Sequence, residues 1–218
     1  ISRSLNTVAT SAEKRGDLTT SLVYYRQSYR SDPNNIDNLL DYASLLRRTG
    51  ANTESLNILK TALSYGKNKG DILAEMGKTQ LSMNNIHDAV ISLETAIFQG
   101  SNSWATHLAL GVSYDRRGEH LKAQRAYKLG LAGSPNNLMV LNNLALSYAL
   151  EGSIEKGIEV LEKIARAPTA TIQMRQNLAL LHRLNGEIAL AKKVSKKESG
   201  PGIISQDLSY NSTLTDND

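Results

Sequence analysis

The tripeptide Pro-Asn-Asn occurs at Pro33-Asn34-Asn35 and again at Pro135-Asn136-Asn137, and the two copies stand 102 residues apart, three times 34. Recurrence at that interval marks an array of short like units, each too small to cover its own apolar face and so dependent on its neighbour. Set in register from Ser2, the 218 residues divide without a gap into units 2–35, 36–69, 70–103, 104–137 and 138–171, then a partial unit from 172. Position 8 of the six units holds Ala9, Ala43, Gly77, Gly111, Ala145 and Ala179. With 21 Ala and 15 Gly in the chain, six small residues at one position would arise by chance roughly once in 50,000 registers. Position 15 holds Gly16, Gly50, Asn84, Gly118, Gly152 and Gly186, the two residue types that enter the left-handed conformation at a helix end most cheaply.

Each unit is therefore predicted to be a helix A, a tight turn just past position 14, a helix B, and a short connection near position 32, where Pro33 and Pro135 stop the second helix. Position 7 (Val8, Tyr42, Met76, Leu110, Leu144, Leu178) and position 24 (Tyr25, Leu59, Leu93, Tyr127, Leu161) give each helix one apolar stripe. Position 20, with Ser21, Ser55, Ala89, Ala123, Gly157 and Ala191, keeps helix B small where helix A must cross. The predicted class is all-α.

Small residues at 8 and 20, glycine at 15, a large residue at 24 and proline at 32 resemble the tetratricopeptide repeat pattern, over about nine-tenths of the chain. The resemblance implies a right-handed α-solenoid of five full hairpins and a C-terminal capping hairpin, in all residues 1–198. Departures fall at position 4, which is His107 in unit four and Arg175 in unit six, and at position 32, where units two and three lack proline. Residues 199–218, rich in Ser, Gly, Asn, Thr and Asp, read as a disordered tail.

In that family helix A lines a concave groove, and positions 2, 5, 6, 9, 12 and 13 face into it. Three zones follow. Asp37, Asp41, Asp71 and Glu75 cluster near the starts of two A helices; Lys14, Arg47, Arg48, Arg116 and Arg183 lie near the ends. Both sets also suit the helix dipole, so groove recognition and simple capping stand side by side. In units five and six Asn142, Asn143, Gln173, Gln176 and Asn177 replace charges, and their donor-acceptor amides suit the backbone of an extended guest chain. The basic clamp with which related modules grip a chaperone's terminal carboxylate is missing, and Asp41, Asp71 and Glu75 would repel an acidic tail.

Other chemistry finds no footing. Without cysteine there is no disulfide, thiolate ligand or thiol nucleophile. His87, His107, His120 and His182 show no metal-ligand spacing, and Gly77-Lys78-Thr79 lacks the leading glycine of a phosphate loop, having Ile72 there. No cofactor is expected. The 25 basic and 21 acidic residues are interspersed, with one Trp and one Phe, which argues against nucleic acid as a partner. Lys192, Lys193, Lys196 and Lys197 crowd the last helix as a solubilising end or a weak anionic contact. The longest charge-free stretch, Leu129 to Leu150, carries Pro135 and four asparagines, so no membrane-spanning helix is expected.

The run Gln176-Asn177-Leu178-Ala179-Leu180-Leu181, followed by Gly186-Glu187 and Ala191, resembles the tetratricopeptide proteins of tight-adherence (Flp) pilus assembly. That resemblance implies a non-catalytic scaffold of a bacterial secretion apparatus. It also implies partners among the pilus secretin or other assembly components, and a periplasmic or outer-membrane location through a lipid anchor upstream of Ile1. A cytosolic adaptor, or the recognition arm of a larger enzyme, remain as alternatives.

Overall fold

The computed structural model describes residues 2–64, 66 and 68–196; the tail expected at 199–218 lies outside them. Among the described residues there are twelve helices and no strand. The odd-numbered helices α1 (Ser2–Lys14), α3 (Ile36–Arg48), α5 (Lys69–Ser82), α7 (Trp104–Arg116), α9 (Leu138–Leu150) and α11 (Ile172–Leu184) are the A helices. The B helices are α2 (Leu18–Ser31), α4 (Asn52–Ser64), α6 (Ile86–Phe98), α8 (His120–Gly133), α10 (Ile154–Ala165) and α12 (Ile188–Lys196), whose first residues recur every 34 positions. The chain is an α-solenoid of tetratricopeptide-type hairpins.

Position 15 closes each A helix in the same way. The residue is left-handed in all six units, with φ from 60° at Asn84 to 97° at Gly152. The next amide then bonds back to the carbonyl five residues earlier, as Asp17 N to Ala12 O at 3.0 Å and Glu119 N to Tyr114 O at 2.9 Å, the pattern that satisfies the orphan carbonyls of a helix end. Position 34 opens the next A helix: Asn35, Ser103, Asn137 and Thr171 each accept a backbone N–H from the first turn. Where units two and three lack proline, Gly66 and Gly100 take positive φ one position earlier and turn the chain instead.

The small positions lie at the crossing of the two helices. Ser21 Oγ donates to Ala9 O at 3.0 Å and Ser55 Oγ to Ala43 O at 2.9 Å, so position 20 is bonded to the backbone at position 8. A Cβ at Gly157 would lie 2.6 Å from Ala145 O, and one at Gly111 would lie 2.3 Å from Tyr127 Cε1. The large residues of position 24 fill the space beside them, all but sealed from solvent. Buried tyrosine hydroxyls reach carboxylates: Tyr25 donates to Glu13 at 3.0 Å and Tyr127 to Asp115 at 2.8 Å. Burial pushes the Tyr25 phenol up to about 12. His107, at position 4 where four of the other five units carry leucine, is buried, its Nδ1 has no hydrogen-bond partner, and burial holds its pKa below the ordinary value.

Each hairpin packs on the next, α2 on α3, α4 on α5 and so to α10 on α11. In addition α3 meets α5, α5 meets α7, α7 meets α9 and α9 meets α11, while successive B helices do not approach one another to that degree. The stack is therefore narrower along its A helices, which form the inner wall.

Candidate functional site

The inner wall is held together by side chains that bridge neighbouring A helices. Asn6 Nδ2 donates to Asp41 at 3.2 Å, and Asn177 Nδ2 donates to Asn142 Oδ1 at 2.9 Å. Both bridges span 35 residues and join position 5 of one unit to position 6 of the next. Arg47 Nε donates to Glu75 Oε1 at 2.7 Å across α3 and α5, Lys78 reaches the other Glu75 oxygen at 3.3 Å, and Arg48 pairs with Glu13 across α3 and α1.

These bridges decide what each expected groove residue does. Glu75, 6% exposed, is neutralised by two cations, which is what a buried carboxylate requires. Desolvation pushes the Asp41 carboxyl above its ordinary value, with the Asn6 amide opposing and the charges of Glu13 and Asp37 adding to the rise. Asp37 lies exposed in the first turn of α3. Asp71 accepts from Ser101 Oγ at 3.0 Å and lines a polar recess of about 320 Å³ formed by Gly66, residues 68–71 and residues 99–101. Arg116, exposed, donates to Asn84 at 3.3 Å, on the turn of the preceding unit.

The amides separate in the same way. Gln173 donates to Asn177 at 3.1 Å, and Asn177 in turn to Asn142, making a short chain of amides across α9 and α11. Asn143 donates to Met139 O one turn back on its own helix at 2.8 Å. Gln176 is exposed on the wall. Three of the five amides thus bond to each other, giving a floor already ordered before any guest arrives.

A feature of the wall not singled out from sequence is its apolar second half. Position 9 runs Thr10, Ser44, Lys78 and then Val112, Leu146, Leu180; position 13 ends in Leu150 and Leu184, 45% and 60% exposed. The charge-free stretch through α9 was the available signal.

Among the described residues no cluster of His, Asp or Glu could hold a metal ion, and no helix is long and apolar enough to cross a membrane. Of the terminal lysines, Lys192 and Lys193 are exposed, while the Lys196 side chain and Lys197 lie outside the described residues.

No protein-family model matches the chain. Over 127 residues, 57% of its length, it is 25% identical to the general transcriptional corepressor ssn6 of Schizosaccharomyces pombe, and the match spans 12% of that protein. Among solved structures it is similar to PilW, a widely conserved type IV pilus biogenesis factor, with TM-score 0.81 and 16% identity over 90% of this chain and 91% of that one. It is also similar to a thermophilic tetratricopeptide protein of Thermus thermophilus, with TM-score 0.72 and 16% identity over 83% and 98% of the two chains. At these identities the likeness is one of fold.

Proposed function

We propose that this tetratricopeptide solenoid is a non-catalytic scaffold that holds a partner polypeptide in its inner groove and assists assembly of a bacterial pilus secretion apparatus of the tight-adherence type. The observation that carries the scaffold reading is the wall itself: the A helices from α3 to α11 stand side by side, with a floor pre-ordered by side-chain bridges and open to solvent along one edge. Such a surface offers extended contact and little chemistry, since the carboxylates of its floor are bound to cations, hydroxyls or amides. The pilus assignment is supported by the resemblance of the 176–191 segment and by the fold shared with PilW, a pilus biogenesis factor. Attachment to the outer membrane or residence in the periplasm, through an anchor outside this chain, belongs to the same proposal. The second reading is an adaptor in the cytosol, and the stretch similar to a corepressor bears on its adaptor role alone.

Titration of the purified chain against a tight-adherence secretin, followed by calorimetry, tests the first reading. Saturable binding lost on reversing groove charges or apolar groups supports it. Absence of binding to the secretin and to the other assembly components ends the pilus assignment while leaving the scaffold reading to its own test.

A further inference from the structure

The floor of the groove changes character at its midpoint. At positions 5, 6 and 9, units one to three carry Asp41, Glu75 and Lys78, each engaged by a neighbour. At the same positions units four to six carry no formal charge: Leu108, Ala109, Val112, then Asn142, Asn143, Leu146, then Gln176, Asn177, Leu180. Helix α9, in the middle of that half, has no charged residue anywhere along it. The large apolar side chains most exposed on A helices gather there too, with Met139 at 50%, Leu150 at 45% and Leu184 at 60%.

Resting on the groove reading above, we infer that the guest is confined to units four to six and is an uncharged, apolar segment of another polypeptide, seated on the row Val112, Leu146 and Leu180. In the first half, a charged guest would have to displace Arg47 or Lys78 from Glu75, or Asn6 from Asp41. In the second half a charged guest side chain at positions 5, 6 and 9 would lose its water and meet no counter-charge, since Arg116 and Arg183 stand apart at the helix ends and Asp115 is already bonded to Tyr127 and Ser147. An apolar guest removes the exposed leucines from water, and the exposed Gln176 amide offers a donor and an acceptor to its backbone. Helix axes in contact lie about 8–10 Å apart, so three A helices span about 20 Å, the reach of roughly six extended residues.

The test is a peptide array probed with the purified 218-residue chain. It carries capped nine-residue peptides in three classes: uncharged and rich in Leu, Ile, Val and Met; the same with central Asp; the same with central Lys. The uncharged class should be retained. Central charge should weaken binding by about tenfold or more, as should Leu146→Asp or Leu180→Asp, while Lys78→Gln leaves it within about twofold. Leu146→Ala and Leu180→Ala, milder changes at half-buried sites, keep the comparison valid if an Asp variant unfolds by circular dichroism; they should weaken binding in the same direction. Retention of charged peptides, or of uncharged peptides indifferent to Leu146 and Leu180, overturns the inference and leaves the scaffold intact. Retention of no class overturns both. A chain that sediments as a dimer and becomes monomeric on Leu146→Asp has its own copy on this row, which also overturns it.

Discussion

Adding a single methyl group at Gly111 asks whether the helix crossing is as tight as the small residues of position 8 require. The new Cβ would lie 2.3, 2.6 and 2.7 Å from three ring carbons of Tyr127. Non-bonded carbons rest at about 3.5–4.0 Å, so the ring would have to retreat by about 1 Å. It has little freedom to do so, because Tyr127 is 1% exposed and its hydroxyl is bonded to Asp115 at 2.8 Å. Overpacking of this kind costs about 1–3 kcal/mol, while replacing glycine by alanine within a helix returns about 0.5–1 kcal/mol, which leaves Gly111→Ala less stable by up to about 2.5 kcal/mol, with about 1 kcal/mol at mid-range. For a chain of this size the mid-range cost is a fall of about 2–4 °C in melting temperature and the upper end about 10 °C, read by circular dichroism at 222 nm. Gly133→Ala is the internal control: nothing lies within 4 Å of its added Cβ, so it should be neutral or slightly stabilising. The double variant Gly111→Ala, Tyr127→Leu restores the combination found at Ala43 and Leu59 and should cost less than the two single changes together. A Gly111→Ala protein that melts at or above the parent temperature would refute the claim that ring and backbone are in hard contact.

His107→Leu should raise stability by about 1 kcal/mol at pH 7.5, since it removes a buried ring nitrogen without a partner and installs the residue that units one, two, three and five use at position 4. Because burial holds the folded pKa of His107 below the ordinary 6.5, the unfolded chain takes up the proton first. Parent stability is thus lost as pH falls through 6.5, and the gap in urea midpoint between parent and variant should widen from pH 7.5 to 5.5; a constant gap would contradict this. Asn177→Ala should cost about 1 kcal/mol, removing the donor to Asn142 Oδ1 and the acceptor of one Gln173 bond, whereas Asn143→Ala should change stability by less than about 0.5 kcal/mol. Equal melting temperatures for the two variants would deny the floor its structural role.

The hairpin plan was readable because it depends on local rules repeated at one interval. Glycine or asparagine at position 15 marks every turn, and Asn84 with φ 60° does what the five glycines do. Position 34 carries a local signal of the same kind, since Asn, Ser and Thr are the residues that cap helices, but its capping role emerged only with the structure. The inner wall was harder to read. Which side chains meet across A helices depends on the tilt and spacing of whole helices, so Asn142 and Asn177 could be placed on one face without showing that they bond to each other. Arg47 and Glu75, 28 residues apart, fall in different register positions, and nothing local links them. The connections after units two and three show a different limit. The missing prolines were visible, but that Gly66 and Gly100 replace them follows from a positive φ set by the path of the whole connection.

The bridges between successive A helices lie along one side of the stack, whereas on the B-helix side the described residues show a single longer pair, Arg26 with Glu54 at 3.8 Å between α2 and α4, both side chains about half exposed. The array therefore has unequal mechanical stiffness. Splaying the coil stretches Asn6 from Asp41, Arg47 from Glu75 and Asn177 from Asn142, whereas winding it tighter strains none of these links in tension. Pulled from its ends, the molecule should resist through its inner seam, as a laced spine does, and yield one lace at a time.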